Sequence, residues 1–401
     1  MMSRLEQISA RISGIMVFAA ALALYFWQVC PGIFLLDSSE FVSSATSLGL
    51  AHPPGTPSYL LLAHLASLLP VGNIALRINL LSGLLGALSI YLVFLSSTRL
   101  LKQQNAGSVL SGAVIGLFVL SLAVSKASWF QHVRAEVYSF NGFITAAIIW
   151  LLIASREADG STMRRLTLAS LLFGVGLAGH HYLILLLIPA VLFQLFGTEI
   201  IKQLTVARFL ILVLFAMSGL LLYLYLPIRY GTPGELAWGN PTSLSGFIDM
   251  ISASVFQHSI TDPSRLTVVE GVVTILVAWV DLLGPILFLS GVAGLVAWLI
   301  VDGRTGLFLV LLVFAGVISK AIMYLDVENP DDHGYYMTGL QALAISSTGL
   351  MVLASRLPVL KKNWLQKAGA VMVLLVASGS MAMASIAMDK DVRTIGLSSF
   401  H

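Results

Sequence analysis

The chain has 401 residues, 58% of them hydrophobic and only 10% charged, with a mean hydropathy of +0.93. Soluble domains carry about 25% charged residues, so this composition excludes a water-soluble globule. A formal net charge of +3 leaves no concentrated basic face for nucleic acid, and one cysteine, Cys30, excludes an internal disulfide or a cysteine-held metal centre.

Apolar runs able to cross a hydrocarbon core of about 30 Å are expected at 12–30, 79–101, 107–125, 139–155, 166–179, 182–197, 208–226, 284–301, 306–324, 336–355 and 368–387. The fold class is therefore an all-α polytopic membrane protein with about eleven transmembrane helices, read as one domain over 1–401. The first run ends in Cys30-Pro31-Gly32-Ile33-Phe34 and not in a small-residue cleavage site, so it reads as a retained span. The fifth and sixth runs are short and read as a hairpin with Gly179-His180-His181 at its tip.

Charge then orients the spans. Arg4, Arg11, Arg99, Lys102, Arg156, Arg164, Arg165, Lys202, Arg208, Arg304, Arg356, Lys361, Lys362 and Lys367 fall on the N-terminal side, against Glu6, Glu157, Asp159, Glu199 and Asp302. The positive-inside rule makes that side cytoplasmic and, with an odd number of spans, puts His401 outside. The long connections 31–78, 227–283 and 325–335 all lie on the opposite, extracytoplasmic face of the plasma or inner membrane. Long structured loops on a rigid scaffold carry function, so the chemistry is expected there.

The first of these loops opens Asp37-Ser38-Ser39-Glu40-Phe41. Spacing of i, i+3 puts both carboxylates on one face of a helical turn, where partial desolvation would suit a general base. The same spacing fits an N-cap aspartate with a capping glutamate at N3. Next comes His52-Pro53-Pro54-Gly55-Thr56-Pro57, a rigid turn that cannot be helical, followed by an amphipathic piece over 58–69. Arg77 enters the second span from outside, as a snorkelling residue or an anion clamp.

Glu136 heads the fourth helix, where it also suits the helix dipole. His180 and His181 point different ways on a helix, which favours hydrogen bonding to phosphate or sugar over metal ligation. Arg229 follows Leu226-Pro227-Ile228. Trp238-Gly239-Asn240-Pro241 suits sugar stacking or an interfacial anchor. Lys320 lies inside the ninth run near its outer end, where an ionisable group is a functional candidate unless it snorkels. Carboxylates suit activation of a hydroxyl, and cations suit a departing phosphate. No Walker A loop, GxSxG elbow or HExxH motif competes with that reading.

Together these blocks resemble one family. Asp37-Ser38-Ser39-Glu40-Phe41, Ala51-His52-Pro53-Pro54-Gly55-Thr56-Pro57 and Arg77-Ile78-Asn79 are similar to the first loop of the protein O-mannosyltransferase family that includes transmembrane protein 260. The likeness continues through Ala135-Glu136-Val137-Tyr138, Gly179-His180-His181, Leu226-Pro227-Ile228-Arg229, Trp238-Gly239-Asn240-Pro241, Leu325-Asp326-Val327-Glu328 and Gly334-Tyr335-Tyr336. The resemblance implies a GT-C glycosyltransferase with an acidic motif in its first outer loop and a polyprenyl-phosphate-linked sugar donor. It makes Asp37 the catalytic carboxylate, with Glu40 as its neighbour in the same motif. Family members often continue into a soluble outer domain. This sequence runs only to His401, so such a domain is not expected and the acceptor stays open among a protein hydroxyl, a lipid and a glycan.

The expected activity is inverting transfer of a sugar, mannose among the candidates, from a polyprenyl phosphate to a hydroxyl acceptor. Candidate contacts to the donor phosphate or sugar are Arg77, His180, His181, Arg229 and Lys320. Candidate contacts to the acceptor or sugar are Glu136, His52, Trp238 and Asn240. No cofactor, metal or nucleic-acid partner is expected; the partners are donor, acceptor and bilayer. The alternative is a lipid-linked glycan flippase, which requires a continuous polar path across the membrane.

Overall fold

The computed structural model describes residues 4–197, 199–232, 237–257, 267–321 and 329–356. All regular structure among them is helical. Among the described residues, seven helices are long and apolar enough to cross a membrane, eight if a bent pair is one span. Of the eleven expected runs, 182–197 and 284–301 hold shorter helices, and 368–387 lies outside the described residues.

The first long helix, α1 (Arg4–Gln28), leads into the segment that holds α2 (Asp37–Ser47) and α3 (Pro57–Ser67). Then come α4 (Ile74–Gln103), α5 (Val109–Ala123), bent by 67° into α6 (Lys126–His132), and α7 (Val137–Ala154). The helix α4 starts at Asn73, whose side chain accepts from Leu76 N–H at 2.8 Å. The central helix is α7, buried along nearly its whole length.

Two further helices, α8 (Thr162–Leu185) and α9 (Ile188–Phe196), form the expected hairpin, although its tip is a helix break and not a loop. His180 has non-helical angles (φ −146°, ψ 83°) near the C-terminal end of α8. Thr162 and Arg165 donate to Ser155 and Ala154 carbonyls at one end of α7, and Gln194 on α9 donates to Leu152 at that same end. His180 meets Tyr138 at the other end. The chain therefore goes up and comes back.

Next is α10 (Val206–Leu220), which packs along α8 with almost no gap: a Cβ on Gly174 would lie 1.9 Å from the Ala216 carbonyl oxygen. Helix association in lipid relies on such small residues, because apolar side chains gain little by leaving an apolar solvent. The other face of α10 exposes Phe209, Leu210, Leu214 and Met217 to the lipid. After α11 (Tyr225–Arg229) and the short α12 (Leu244–Ile251) come α13 (Val268–Leu283), α14 (Pro285–Val301) and α15 (Gly303–Ala321). A 3-10 turn over Pro330–Tyr336 enters α16 (Met337–Ser346) and α17 (Thr348–Arg356).

The two ends of the bundle differ chemically. At the end away from His180, Arg156 donates to Gln194 and Thr305, Asp302 accepts from Thr305 and Gln104, and Arg356 donates to Gln104. Arg99 and Arg165 pair with Glu157 there. The basic residues of the charge pattern thus tie helix ends together, while carboxylates gather at the His180 end.

Candidate active site

The site is built on α2. Its cap position is Leu36, held in the left-handed region (φ 63°, ψ −150°) with no side-chain cap, so Asp37 is the first helical residue and not the cap. A non-glycine residue there stores about 1–3 kcal/mol of strain, which the surrounding contacts must hold. The capping-box reading of Asp37 and Glu40 is therefore set aside. Glu40 does not reach back to the helix start; it turns to His52.

Both oxygens of Glu40 meet that histidine. His52 N–H donates to Oε1 at 2.6 Å, and Nδ1 stands 2.9 Å from Oε2. An ionised carboxylate only accepts, so Nδ1 carries the shared proton and Nε2 is turned outward. Nε2 lies 3.9 Å from Asp37 Oδ2. Phe41, Trp238 and Phe256 surround the ring at centroid distances of 5.5, 6.4 and 6.2 Å. Burial pushes the Glu40 carboxyl up, but the His52 contacts outweigh it and hold Glu40 below its ordinary range. Burial likewise disfavours the imidazolium of His52, and Glu40 and Asp37 outweigh it to raise that group.

A polar scaffold beneath fixes α2. Ser38 Oγ donates to the Ala135 carbonyl at 2.7 Å. Asn79, fully buried on α4, accepts from Ala135 N–H at 2.7 Å and donates to the Cys30 and Gly32 carbonyls at 2.8 and 2.9 Å. One side chain thus ties the stretch before α2 to the turn before α7.

That turn holds an ion cluster. Arg134 is fully buried, donates to Glu136 Oε2 at 2.7 Å and to Gln131 Oε1 at 3.2 Å, and pairs closely with Asp331. Phe130 covers the guanidinium at 4.4 Å. Glu136 also accepts from Val137 N–H at 3.0 Å, the dipole position expected for it. It is fully enclosed. Loss of water pushes its carboxyl up to about 8 against the pull of Arg134, and the charges of Asp331 and Asp37 add to the rise.

Beside this cluster stands an aromatic wall. His180 meets Tyr138 and Tyr335 at 5.6 and 5.4 Å, and its Nδ1 is buried with no hydrogen-bond partner among the described residues, as is Nδ1 of His181. Lys320 is buried at the end of α15, bonded to Asp332 at 2.9 Å and lying 4.6 Å over the Tyr335 ring.

The remaining candidates are placed elsewhere or engaged differently. Arg77 donates to the Val71, Ser67 and Gly72 carbonyls at 2.7, 2.6 and 2.9 Å, closing the turn between α3 and α4. Arg229 donates to the Leu48 and Ser47 carbonyls at 2.9 and 3.0 Å, and Tyr225 to Gly49 at 2.7 Å. Both secure the C-terminal end of α2. Asn240 Oδ1 accepts from Thr242 N–H and Oγ–H in an exposed turn. The block Leu325-Asp326-Val327-Glu328 lies outside the described residues.

Sequence reasoning missed Ser38, Asn79, Arg134, Asp331, Asp332, Tyr138 and Tyr335 as parts of one constellation. Arg134 and Asn79 had a signal, since polar groups next to apolar runs must find partners when buried. Among the described residues, the group with metal-type spacing is Asp37, Glu40 and His52, with one donor atom of each within 4.8 Å of the others. Glu40 and His52 of that group already share a hydrogen bond.

Residues 37–204 match the family described as the protein O-mannosyl-transferase TMEM260 N-terminal domain. The chain is 35% identical over 239 residues to protein O-mannosyl-transferase TMEM260 of Mus musculus, covering 58% of this chain and 32% of that protein. It is 26% identical over 252 residues to the Dictyostelium discoideum protein of the same name, covering 58% and 29%. The chain thus spans about a third of the length of the curated relatives it matches. Among solved structures it resembles ArnT from Cupriavidus metallidurans bound to undecaprenyl phosphate, with a TM-score of 0.56 and 13% identity over 96% of this chain and 71% of that one. It also resembles the apo Archaeoglobus fulgidus oligosaccharyltransferase, with a TM-score of 0.57 and 11% identity over 94% and 56%. The fold is the one seen in ArnT and in this oligosaccharyltransferase.

Proposed function

We propose that this chain, whose residues 37–204 match the TMEM260 N-terminal domain family, is a membrane glycosyltransferase that moves a sugar from a polyprenyl-phosphate donor to a hydroxyl acceptor. The observation that carries the reading is the half-exposed Asp37 carboxylate at the start of α2, with the Glu40–His52 pair beside it. In this reading Asp37 takes the acceptor's proton as its oxygen attacks the anomeric carbon, and the phosphate departs with the electron pair of the broken bond. The GT-C fold, the O-mannosyl-transferase relatives and the lipid phosphate held by ArnT all support a lipid-borne donor. We assign the donor sugar and phosphate to the wall of His180, His181, Tyr335 and Lys320, where buried ring nitrogens have no partner among the described residues. Arg77 and Arg229 then serve the site through the backbone they hold. Trp238 and the turn at Asn240 border the acceptor side.

A flippase needs ionisable or strongly polar groups along the whole path. Here the buried carboxylates of the site gather at one end, and the helix contacts below them carry Ser89, Thr145 and Gln341. The purified protein, given a synthetic polyprenyl-phosphate mannose and a hydroxyl acceptor, is expected to release free polyprenyl phosphate. Transport of the lipid across vesicles without that release would replace the enzyme reading by the flippase.

We place the active face outside the cytoplasm, a reading that the charge distribution supports. In a Cys30→Ser background, a membrane-impermeant maleimide should label Ser245→Cys on intact cells. It should label Ser161→Cys only after permeabilisation. Labelling of both from one side would overturn the orientation.

A further inference from the structure

His52 stands between two carboxylates that approach opposite nitrogens of one ring. Glu40 holds it twice, through the backbone N–H and through Nδ1, so both the ring plane and the tautomer are set. Nε2 is then the accepting nitrogen, and it faces Asp37 Oδ2 at 3.9 Å. That gap exceeds a hydrogen bond. Asp37 has the least enclosed side chain of the three, 45% exposed against 20% for His52 and for Glu40.

We propose that His52 is the second proton carrier of the transfer: the acceptor's proton moves to Asp37, and from Asp37 to Nε2 of a ring held in the receiving tautomer by Glu40. The proposal rests on the sugar-transfer reading above. In the step, the acceptor O–H bond breaks as its oxygen bonds the anomeric carbon. The bond from that carbon to the phosphate oxygen breaks, and the phosphate keeps the electron pair. The proton passes through Asp37 to His52, and the imidazolium returns it to water at the exposed edge of the site. Asp37 is thereby restored as a carboxylate for the next turnover.

The groups facing His52 are Asp37 and Glu40 on α2, Glu136 before α7 and His180 on α8, with Phe41, Trp238 and Phe256 around the ring. The carboxylates hold the imidazolium above the ordinary histidine range despite burial. A neutral His52 is the receiving form. The rate should therefore fall as pH drops through that raised value, at a higher pH than an unperturbed histidine would set.

The test uses the full chain in detergent, with polyprenyl-phosphate mannose and a hydroxyl acceptor. His52→Ala is expected to slow transfer by about 10²-fold, and added imidazole to restore part of the rate. Glu40→Gln removes the Glu40 charge, one of those that raise His52, and leaves Asp37 and Glu136 in place, so the acid limb of kcat should move part of the way to lower pH, a change that loss of packing alone does not produce. An unaltered rate in His52→Ala overturns the relay. So does an unmoved acid limb in Glu40→Gln, or rescue of His52→Ala by a divalent cation and not by imidazole. Absence of turnover in the wild-type protein overturns the sugar-transfer reading itself, and the relay with it.

Discussion

Asp37→Asn should lower sugar transfer by about 10²–10⁴-fold while leaving the fold and donor binding in place. The substitution keeps shape and most hydrogen bonding and removes only the charge that accepts a proton. Asn caps helices about as well as Asp, so a purely structural role at the helix start predicts almost no change. The structure sharpens this contrast, because Leu36 and not Asp37 occupies the cap position of α2. The measurement is transfer by monodisperse protein, with donor affinity determined separately. Turnover at the wild-type rate would remove Asp37 from the reaction.

The largest effect on stability is expected at Arg134. Arg134→Met leaves Glu136 and Asp331 buried beside each other without their shared cation. Breaking a buried pair typically costs about 3–5 kcal/mol, because the carboxyls left behind must stay buried without their donor or take up a proton. The thermal unfolding midpoint in detergent should drop sharply, and protease should reach the turn over Pro330–Tyr336. Combining Arg134→Met with Glu136→Gln and Asp331→Asn should recover much of the loss, since apolar or neutral replacements of a whole buried ion cluster are often tolerated. Equal stability of wild type and Arg134→Met would mean that the cluster does not hold this turn. The effect on function is indirect, through Asp332 and Tyr335 in the same turn, which set Lys320 against the aromatic wall.

The candidate site was legible in part, and the division follows from sequence distance. Asp37 and Glu40 are three residues apart, so helical spacing alone places them together. Their link to His52, twelve residues on, depends on how the proline-rich turn folds back, which no local rule specifies. Arg77 and Arg229 were legible as cations at the outer face. Their engagement with the Ser67, Val71, Gly72, Ser47 and Leu48 carbonyls was not, because a guanidinium takes whichever acceptors the fold presents. Lys320 was read as a lone intramembrane charge. It is paired, and its partner Asp332 belongs to a turn reached only through tertiary contact.

Composition and periodicity by themselves determined that the chain is a helical membrane protein. The hydrocarbon core demands long apolar helices whose backbone bonds are all internal, and that demand is written in every span. Charge asymmetry determined which bundle end is basic, and loop length determined which end carries the outer segments. Only the tertiary structure decided that α8 breaks at His180 without a loop, that Asn79 ties residues 30–32 to Ala135, and that Arg134 serves two carboxylates. The physical reason is common to all three. A buried polar group must be satisfied, but its type specifies only that a partner exists; which partner it finds is set by helix packing over contacts tens to hundreds of residues apart.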